Sequence, residues 1–538
     1  MGTGGGDAEP RRAAASDILL VVPPVSKACE PPAGIARLTA ALQARGLRCR
    51  LLDANLEGLL WLLAQPPSVH DTWTSRAVRG RAGHLAALRD SKTYQAPDRY
   101  RRAVSDLGRI LAVSSRHRGA AVALCDYRHA DLSPVRSGDL IAAASTPQDN
   151  PFHPWFSRRL PALLDGVGTV GFSLNFLSQA LCAFAMIGHV RREHPAARIV
   201  LGGGLVTSWM RRPGWRNPFG GLVDELIAGP GEEPLAALLG REAAPDFHVP
   251  PDYSSLPLHD YLSPGLILPY SAAAGCWWNR CSFCPERAEG SGYRPMPPHQ
   301  VLADLRLLTE QTKPSLIHLL DNALSPALLR ALAENPPGAP WYGFARIDER
   351  LADPDFCRAL KRAGCVMLKL GLESGDQGVL DRTGKGIDLG TASRVLTSLK
   401  QAGIGVYCYL LFGTPAETVL EAKRTLEFVV RHREAIGYLN LAVFTMPLGA
   451  GDADECVTAP FCEGDLSLAT DFRHPQGWDR RQVRLFLERE FKRDPAVAAI
   501  LRNDPPQFTS NHAPFLDLGR GRRPGRREQG LRGRPGGP

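Results

Sequence analysis

Three cysteines stand close together in Gly275-Cys276-Trp277-Trp278-Asn279-Arg280-Cys281-Ser282-Phe283-Cys284. Cysteine thiolates hold iron–sulfur clusters, usually four to a cluster. Three would hold three irons of a 4Fe-4S cluster and leave the fourth open to an exchangeable ligand, such as a substrate or cofactor. Structural zinc would need a fourth Cys or His, usually from a second close pair. His299 is nearest, fifteen residues past Cys284, and no such pair follows it. A disulfide framework would need an oxidising compartment and an even set of cysteines. Cys456 and Cys462 are too few for a second cluster. Trp277 and Trp278 would shield a cluster, line a cavity or simply be buried.

Further candidates follow at the ends of predicted strands. Asp321-Asn322 ends one, Arg346 the next, Glu373-Ser374-Gly375 a third and Gly413-Thr414-Pro415-Ala416-Glu417-Thr418 a fourth. Each alone could cap the following helix. Their recurrence after the cysteine loop marks a site, because chemistry in β/α barrels collects at the strand C-terminal ends.

The elements that must position these residues alternate. After the strand Leu266–Ala272, strands are expected at 315–320, 341–346, 366–373, 406–412 and 438–444, with helices at 299–311, 326–335, 354–363, 390–402 and 415–431. This is a partial (β/α)6 TIM-type barrel. Upstream, Ile18–Val22, a helix from Ala33 to Ala44 and Cys49–Asp53 open a βαβ unit. It resumes at Val167–Ser173, a helix over 178–192, Arg198–Leu201 with Gly202-Gly203-Gly204, and Asp224–Gly229 with Gly231-Glu232-Glu233-Pro234. Glycine turns at strand C-terminal ends describe a doubly wound α/β fold, whose ligands bind beyond those ends; they also occur as tight connections alone.

The cysteine loop resembles that of the radical S-adenosylmethionine (SAM) enzymes, whose usual spacing is Cys-x3-Cys-x2-Cys with an aromatic residue before the last cysteine. Phe283 fills that place, whereas four residues separate Cys276 from Cys281. The resemblance implies that Glu373 and Ser374 face the SAM ribose. It also implies that Gly413, Thr414 and Glu417 flank adenine with Phe283, and that Arg346 pairs the methionine carboxylate, which a guanidinium matches bidentately. Read locally, Arg346 would instead pair with Asp348 or Glu349. The family's Gly-Gly-Glu string on the second strand is replaced by Leu320-Asp321-Asn322. The first half resembles the Rossmann-like cobalamin-binding domain that precedes many radical SAM domains. This implies corrin contacts from Asp53, Ser173, Gly202, Gly203, Gly204, Gly231 and Glu232. The Asp-x-His-x-x-Gly motif that supplies a cobalt-ligating His is absent; Asp126-Tyr-Arg-His129 does not match it.

The expected organisation is a disordered N-terminus (1–16), a cobalamin-binding domain (17–244) with a helical insertion at 57–165, and a Pro-rich linker (245–262). A radical SAM domain (263–450), a small C-terminal cap (451–518) over the barrel mouth and a disordered Arg/Gly/Pro tail (519–538) follow. The 538 residues fit two or three domains. The net charge of +9 points toward nucleic acid only superficially, because the tail carries seven Arg and one Glu and leaves +3 for the rest. No apolar stretch is long enough for a membrane span, and the N-terminus lacks the order of a secretory signal. A cytoplasmic enzyme with mostly free core thiols is expected.

The resemblance implies reductive cleavage of SAM to a 5′-deoxyadenosyl radical and C-methylation of an unactivated carbon in a natural product or modified peptide. The cofactors would be a 4Fe-4S cluster, SAM and cobalamin, with a flavodoxin- or ferredoxin-like reductant. Two alternatives stay open: a non-methylating radical oxidation or cyclisation, and a cobalamin- or redox-sensing binding protein whose basic tail contacts nucleic acid.

Overall fold

The computed structural model describes residues 16–67, 71–242, 248–453, 455–506 and 508–521. Residues 1–15 and 522–538 of the expected disordered ends (1–16 and 519–538) lie outside these, as do 243–247, which straddle the expected start of the linker at 245.

A strand covered on both faces needs an unbroken apolar run, and Ile18-Leu-Leu-Val-Val22 is one. In β1 (Ser16–Val22), Ile18, Leu20 and Val22 point into one core with Ile35, Leu42 and Leu235, while Leu19 and Val21 point into another with Val170, Phe172 and Ala183. β1 joins β2 (Cys49–Asp53), β3 (Val167–Ser173), β4 (Arg198–Gly202) and β5 (Glu225–Ile227) in a parallel sheet of order β2-β1-β3-β4-β5. The order reverses between β1 and β3, the switch point beside which such folds bind ligands. Between β2 and β3 run the helices Ala54–Ala64, Thr72–Arg89, Pro97–Ser115, Ser137–Ser145 and His153–Leu164. The helix Thr72–Arg89 was not legible beforehand: it buries only Thr74, Ala77, Ala87 and Leu88, so it carries no apolar stripe.

The second sheet contains β6 (Ile267–Tyr270), β7 (Leu316–Leu324), β8 (Trp341–Ala345), β9 (Cys365–Glu373), β10 (Gly405–Phe412) and β11 (Tyr438–Val443). All pair in parallel and in sequence order, giving the expected open six-stranded barrel with helices outside.

Three local differences bear on the site. β7 continues past Asp321, so Asp321-Asn322 lies within the strand; the Asp321 carboxylate accepts from the Ala272 backbone N–H at 3.1 Å and fixes the start of the cysteine segment. The helix expected from Pro415 begins at Val419, because Thr418 and Glu421 form a capping box and leave 413–417 as a loop. The C-terminal cap also divides. The strands Met446–Pro447, Thr458–Pro460 and Ala469–Phe472 pack beside Phe283 at the barrel mouth. The helix Ala513–Gly521, which runs past the expected tail boundary at Gly519, seals the opposite end against Ile267, Leu316, Tyr342, Met367, Tyr407 and Tyr438.

That plug is apolar and closely packed, with Ala513 fully buried and its carbonyl accepting from the Tyr438 hydroxyl at 3.1 Å. Ala513→Asp, which buries a carboxylate without a partner, should cost several kcal/mol and lower the calorimetric unfolding midpoint. An unchanged midpoint would mean that the helix does not seat there.

Candidate active site

The cysteine loop leaves the barrel through a short hairpin, Ala273–Ala274 against Arg294–Pro295. A second segment, Thr383-Gly-Lys-Gly386 after the fourth barrel strand, clamps it. The Ser282 N–H donates to the Thr383 carbonyl at 3.0 Å, and the Trp278 indole N–H donates to the Gly384 carbonyl at 3.0 Å. Gly386 has φ of 61°, and a Cβ there would run into the Trp278 ring, so only glycine fits.

Arg346 closes this arrangement. Its guanidinium lies 3.7 Å from the centroid of the Trp278 ring and 6.0 Å from that of Trp277. It donates to the Gly386 carbonyl at 2.8 Å and to that of Lys385. The local pairing does not form: Glu349 bonds Arg394 and Thr391, while Asp348 caps the following turn and faces Arg350. Arg346 therefore faces the cysteines. Lys385 joins it, ion-paired with Glu373 at 2.9 Å and 5.6 Å from the Phe283 ring centroid. Burial pushes the Cys281 thiol up, and the charges of Lys385 and Arg346 oppose that shift. Burial also raises Cys284, against backbone N–H groups of Arg287 and Glu286 that favour its thiolate. Glu373 has φ of 69°, a strained value for a non-glycine residue and one of only three such positions among the described residues.

Among the described residues, no three Cys, His, Asp or Glu side chains gather as a single-ion site requires. A 4Fe-4S cube asks for something else, since each thiolate binds a different iron and the three need only border one volume. Cys276, Cys281 and Cys284 are electrostatic neighbours, flanked by two cations. The buried Trp277 indole N–H beside them has no hydrogen-bond partner. This donor set fits an anionic thiolate-bound cluster.

The other expected SAM contacts form a buried support instead. Ser374 is 1% exposed, and its hydroxyl bonds Thr425 and the Asp376 N–H. Glu417 is fully buried and accepts from the Gly413 N–H at 2.6 Å and from the Trp478 indole at 3.1 Å. Its Oε1 and the Thr414 hydroxyl lack partners. Phe283, Arg346 and Glu373 thus come together at the cysteines, whereas Ser374, Gly413, Thr414 and Glu417 stand behind them. Lys385 escaped the sequence reading; the Gly-Lys-Gly string after the Glu373 strand was its only signal.

A cavity of about 930 Å³ connects the halves. One wall contains Ser173, Gly202, Gly203, Gly204, Gly231 and Glu232, at the C-terminal ends of the first sheet. The other contains Ala273–Gly275 and residues from Pro285 to Gly292, which bracket the cysteines. Gly203 has φ of 108°, and a Cβ there would strike the Leu174 carbonyl, which keeps the turn flat. Asn175, also missed beforehand, bonds the Ser173 hydroxyl at 3.1 Å and the Gly204 N–H at 2.9 Å, tying strand end to turn. Glu232 pairs with Arg37 across the cavity wall. Asp53 lies apart: it caps the helix Ala54–Ala64, accepts from the Tyr261 hydroxyl at 2.7 Å and is pushed up to about 6 by burial.

Residues 270–429 match the model of the radical SAM superfamily. An uncharacterized methyltransferase of Pyrococcus horikoshii is 25% identical over 191 residues, which are 33% of this chain; the match spans 40% of that relative's length. The structure of the radical SAM methyltransferase TsrM from Kitasatospora setae, described with tryptophan substrate and a SAM analog, superposes with a TM-score of 0.54 and 17% identity, over 94% of this chain and 96% of that one. A second structure of TsrM, described with cobalamin and a 4Fe-4S cluster, gives 0.48 and 16% over 84% and 80%.

Glu417 offers a pH test of the support network. Burial raises its carboxyl from 4.5 to about 7. Its contribution to stability is fully present below 4.5 and is lost as pH rises through about 7. Glu417→Gln, which keeps an acceptor for Gly413 and Trp478, should match the parent at low pH and exceed it at pH 8 by up to about 3 kcal/mol, at about 1.4 kcal/mol per pKa unit. Denaturant titrations at the two pH values measure this; equal stability curves would mean that Glu417 stays ionised.

Proposed function

We propose, from the premise that residues 270–429 are a radical SAM domain, that this chain is a cobalamin-dependent radical SAM methyltransferase. One observation carries the reading: a single cavity runs from the glycine turns of a doubly wound sheet to the cysteine loop of a barrel. Two cofactors placed at its ends would share one reaction space. Cys276, Cys281 and Cys284 would hold the cluster. Arg346 and Lys385 would supply positive charge for the SAM carboxylate, with Glu373 and Phe283 beside them. Trp277 and Trp278 would keep water from the loop.

The glycine wall would seat a corrin. Among the described residues, no histidine lines the cavity, so a corrin seated there would have no histidine of these residues as a cobalt ligand. Held there, the cluster would supply the electron for reductive cleavage of SAM to methionine and a 5′-deoxyadenosyl radical, and cobalamin would supply the methyl group. The acceptor would be an unactivated carbon of a natural product or modified peptide, and the electron would come from a flavodoxin- or ferredoxin-like donor in a reducing cytoplasm. The fold shared with a tryptophan-bound methyltransferase supports methyl transfer. Among the described residues, no helix is long and apolar enough to cross a membrane.

Anaerobic reconstitution with iron, sulfide and cobalamin, followed by SAM and a strong reductant, tests the reading. The parent protein should retain cobalamin and form 5′-deoxyadenosine together with S-adenosylhomocysteine. The Cys276/Cys281/Cys284→Ala triple variant should form neither. 5′-Deoxyadenosine without S-adenosylhomocysteine would turn the reading toward oxidation or cyclisation, and neither product from a fully loaded protein would remove it.

A further inference from the structure

A second cavity of about 450 Å³ adjoins the first, sharing Gly34, Ser173, Asn175, Phe176 and Leu320 with it. It reaches down into the barrel lumen, where His318 of β7, Phe344 of β8, Lys369 of β9 and Tyr409 of β10 line it. Barrel interiors are usually filled by apolar side chains. Here a lysine and a histidine face the cavity, His318 stacking on its strand neighbour Tyr342 with ring centroids 4.5 Å apart.

Lys369 is 2% exposed. Its ammonium donates to the Ser510 hydroxyl at 3.3 Å and to the Asn511 side-chain carbonyl at 3.2 Å, and lies 5.1 Å and 5.3 Å from the Tyr342 and Phe344 ring centroids. No carboxylate among the described residues pairs with it. Glu30, the acid that faces it across the cavity, is occupied: it meets His318 Nδ1 at 3.0 Å and accepts from the Asn511 amide at 3.0 Å. Asp53 is turned to Tyr261. Lys27 adds a second cation at the rim. A buried ammonium without a counter-ion is costly, and burial lowers Lys369 to about 8. Neutral hydrogen-bond acceptors and ring faces offset that cost only in part. An anionic group entering the cavity would complete the balance. Phe344 and Tyr409, with ring centroids 5.0 Å apart, give it an aromatic wall, and the open side leads to the cavity assigned above to the corrin.

We propose that this lumen cavity is the substrate subsite and that Lys369 receives the carboxylate of a small aromatic substrate whose ring lies against Phe344 and Tyr409. The assignment of this ligand as substrate rests on the enzymatic reading above; the recognition of an aromatic carboxylate does not. The roles divide by charge: His318 and Asn511 hold Glu30 away from Lys369 and so keep the ammonium free for the ligand.

Phenylacetate and its neutral isostere phenylacetamide serve as probes in calorimetric titrations of the full chain, without SAM or reductant. Phenylacetate should bind at least tenfold more tightly than phenylacetamide. Lys369→Met, which keeps the side-chain volume, should abolish that preference while leaving phenylacetamide affinity unchanged. The comparison of the two probes on the parent protein needs no variant. No binding of phenylacetate, equal affinity for both probes, or an undiminished preference in Lys369→Met would each overturn the proposal. Because no SAM is turned over, this outcome is separable from that of the reconstitution test.

Discussion

The guanidinium of Arg346 is the contact on which the candidate centre depends. It leaves the end of β8, stacks on Trp278 of the cysteine loop and bonds two carbonyls of the Lys385–Gly386 turn. Three segments distant in sequence are thereby held by one planar cation. A lysine could not substitute, because a point charge offers neither a stacking face nor a fork of donors. Gly386 makes room for the indole beneath it, and Lys385, carried by the same turn, is delivered to Glu373. The strained backbone at Glu373 persists because this surrounding structure fixes it.

The second constraint is the docking of the first sheet over the barrel. The Tyr253 hydroxyl bonds the Pro269 carbonyl of β6, Tyr261 bonds Asp53 at the end of β2, and Glu30, in the loop after β1, meets His318 inside the barrel. These polar ties are buried or nearly so, where an unmade hydrogen bond is expensive. They set the glycine turns opposite the cysteine loop and leave the two adjoining cavities between them. The C-terminal segment works at the other end: Ser510 and Asn511 reach the lumen, and the helix after them closes the floor. Its residues complete the cavity from below rather than covering it from above.

The sequence by itself determined the class of fold and the chemistry of the loop. Unbroken apolar strands, helical stripes and glycine turns have fixed periods, so β1 to β11 and their parallel pairing could be expected from local pattern. The cysteine spacing likewise speaks for thiolate chemistry. Helices without a stripe, such as Thr72–Arg89, were invisible because a helix that buries little leaves no period to read. Only the tertiary structure decided which strand-end residues meet the cysteines. Arg346, Glu373 and Ser374 look equivalent along the chain, yet a left-handed turn at Glu373 sends its carboxylate to Lys385 while Ser374 folds under into the Thr425 network. Lys369 is one residue of an apolar strand in sequence. Its significance comes from what the fold withholds, since the acid that faces it is taken by a histidine 288 residues away from that acid. Charge balance in a buried cavity is a property of several distant segments at once, and no local pattern encodes it.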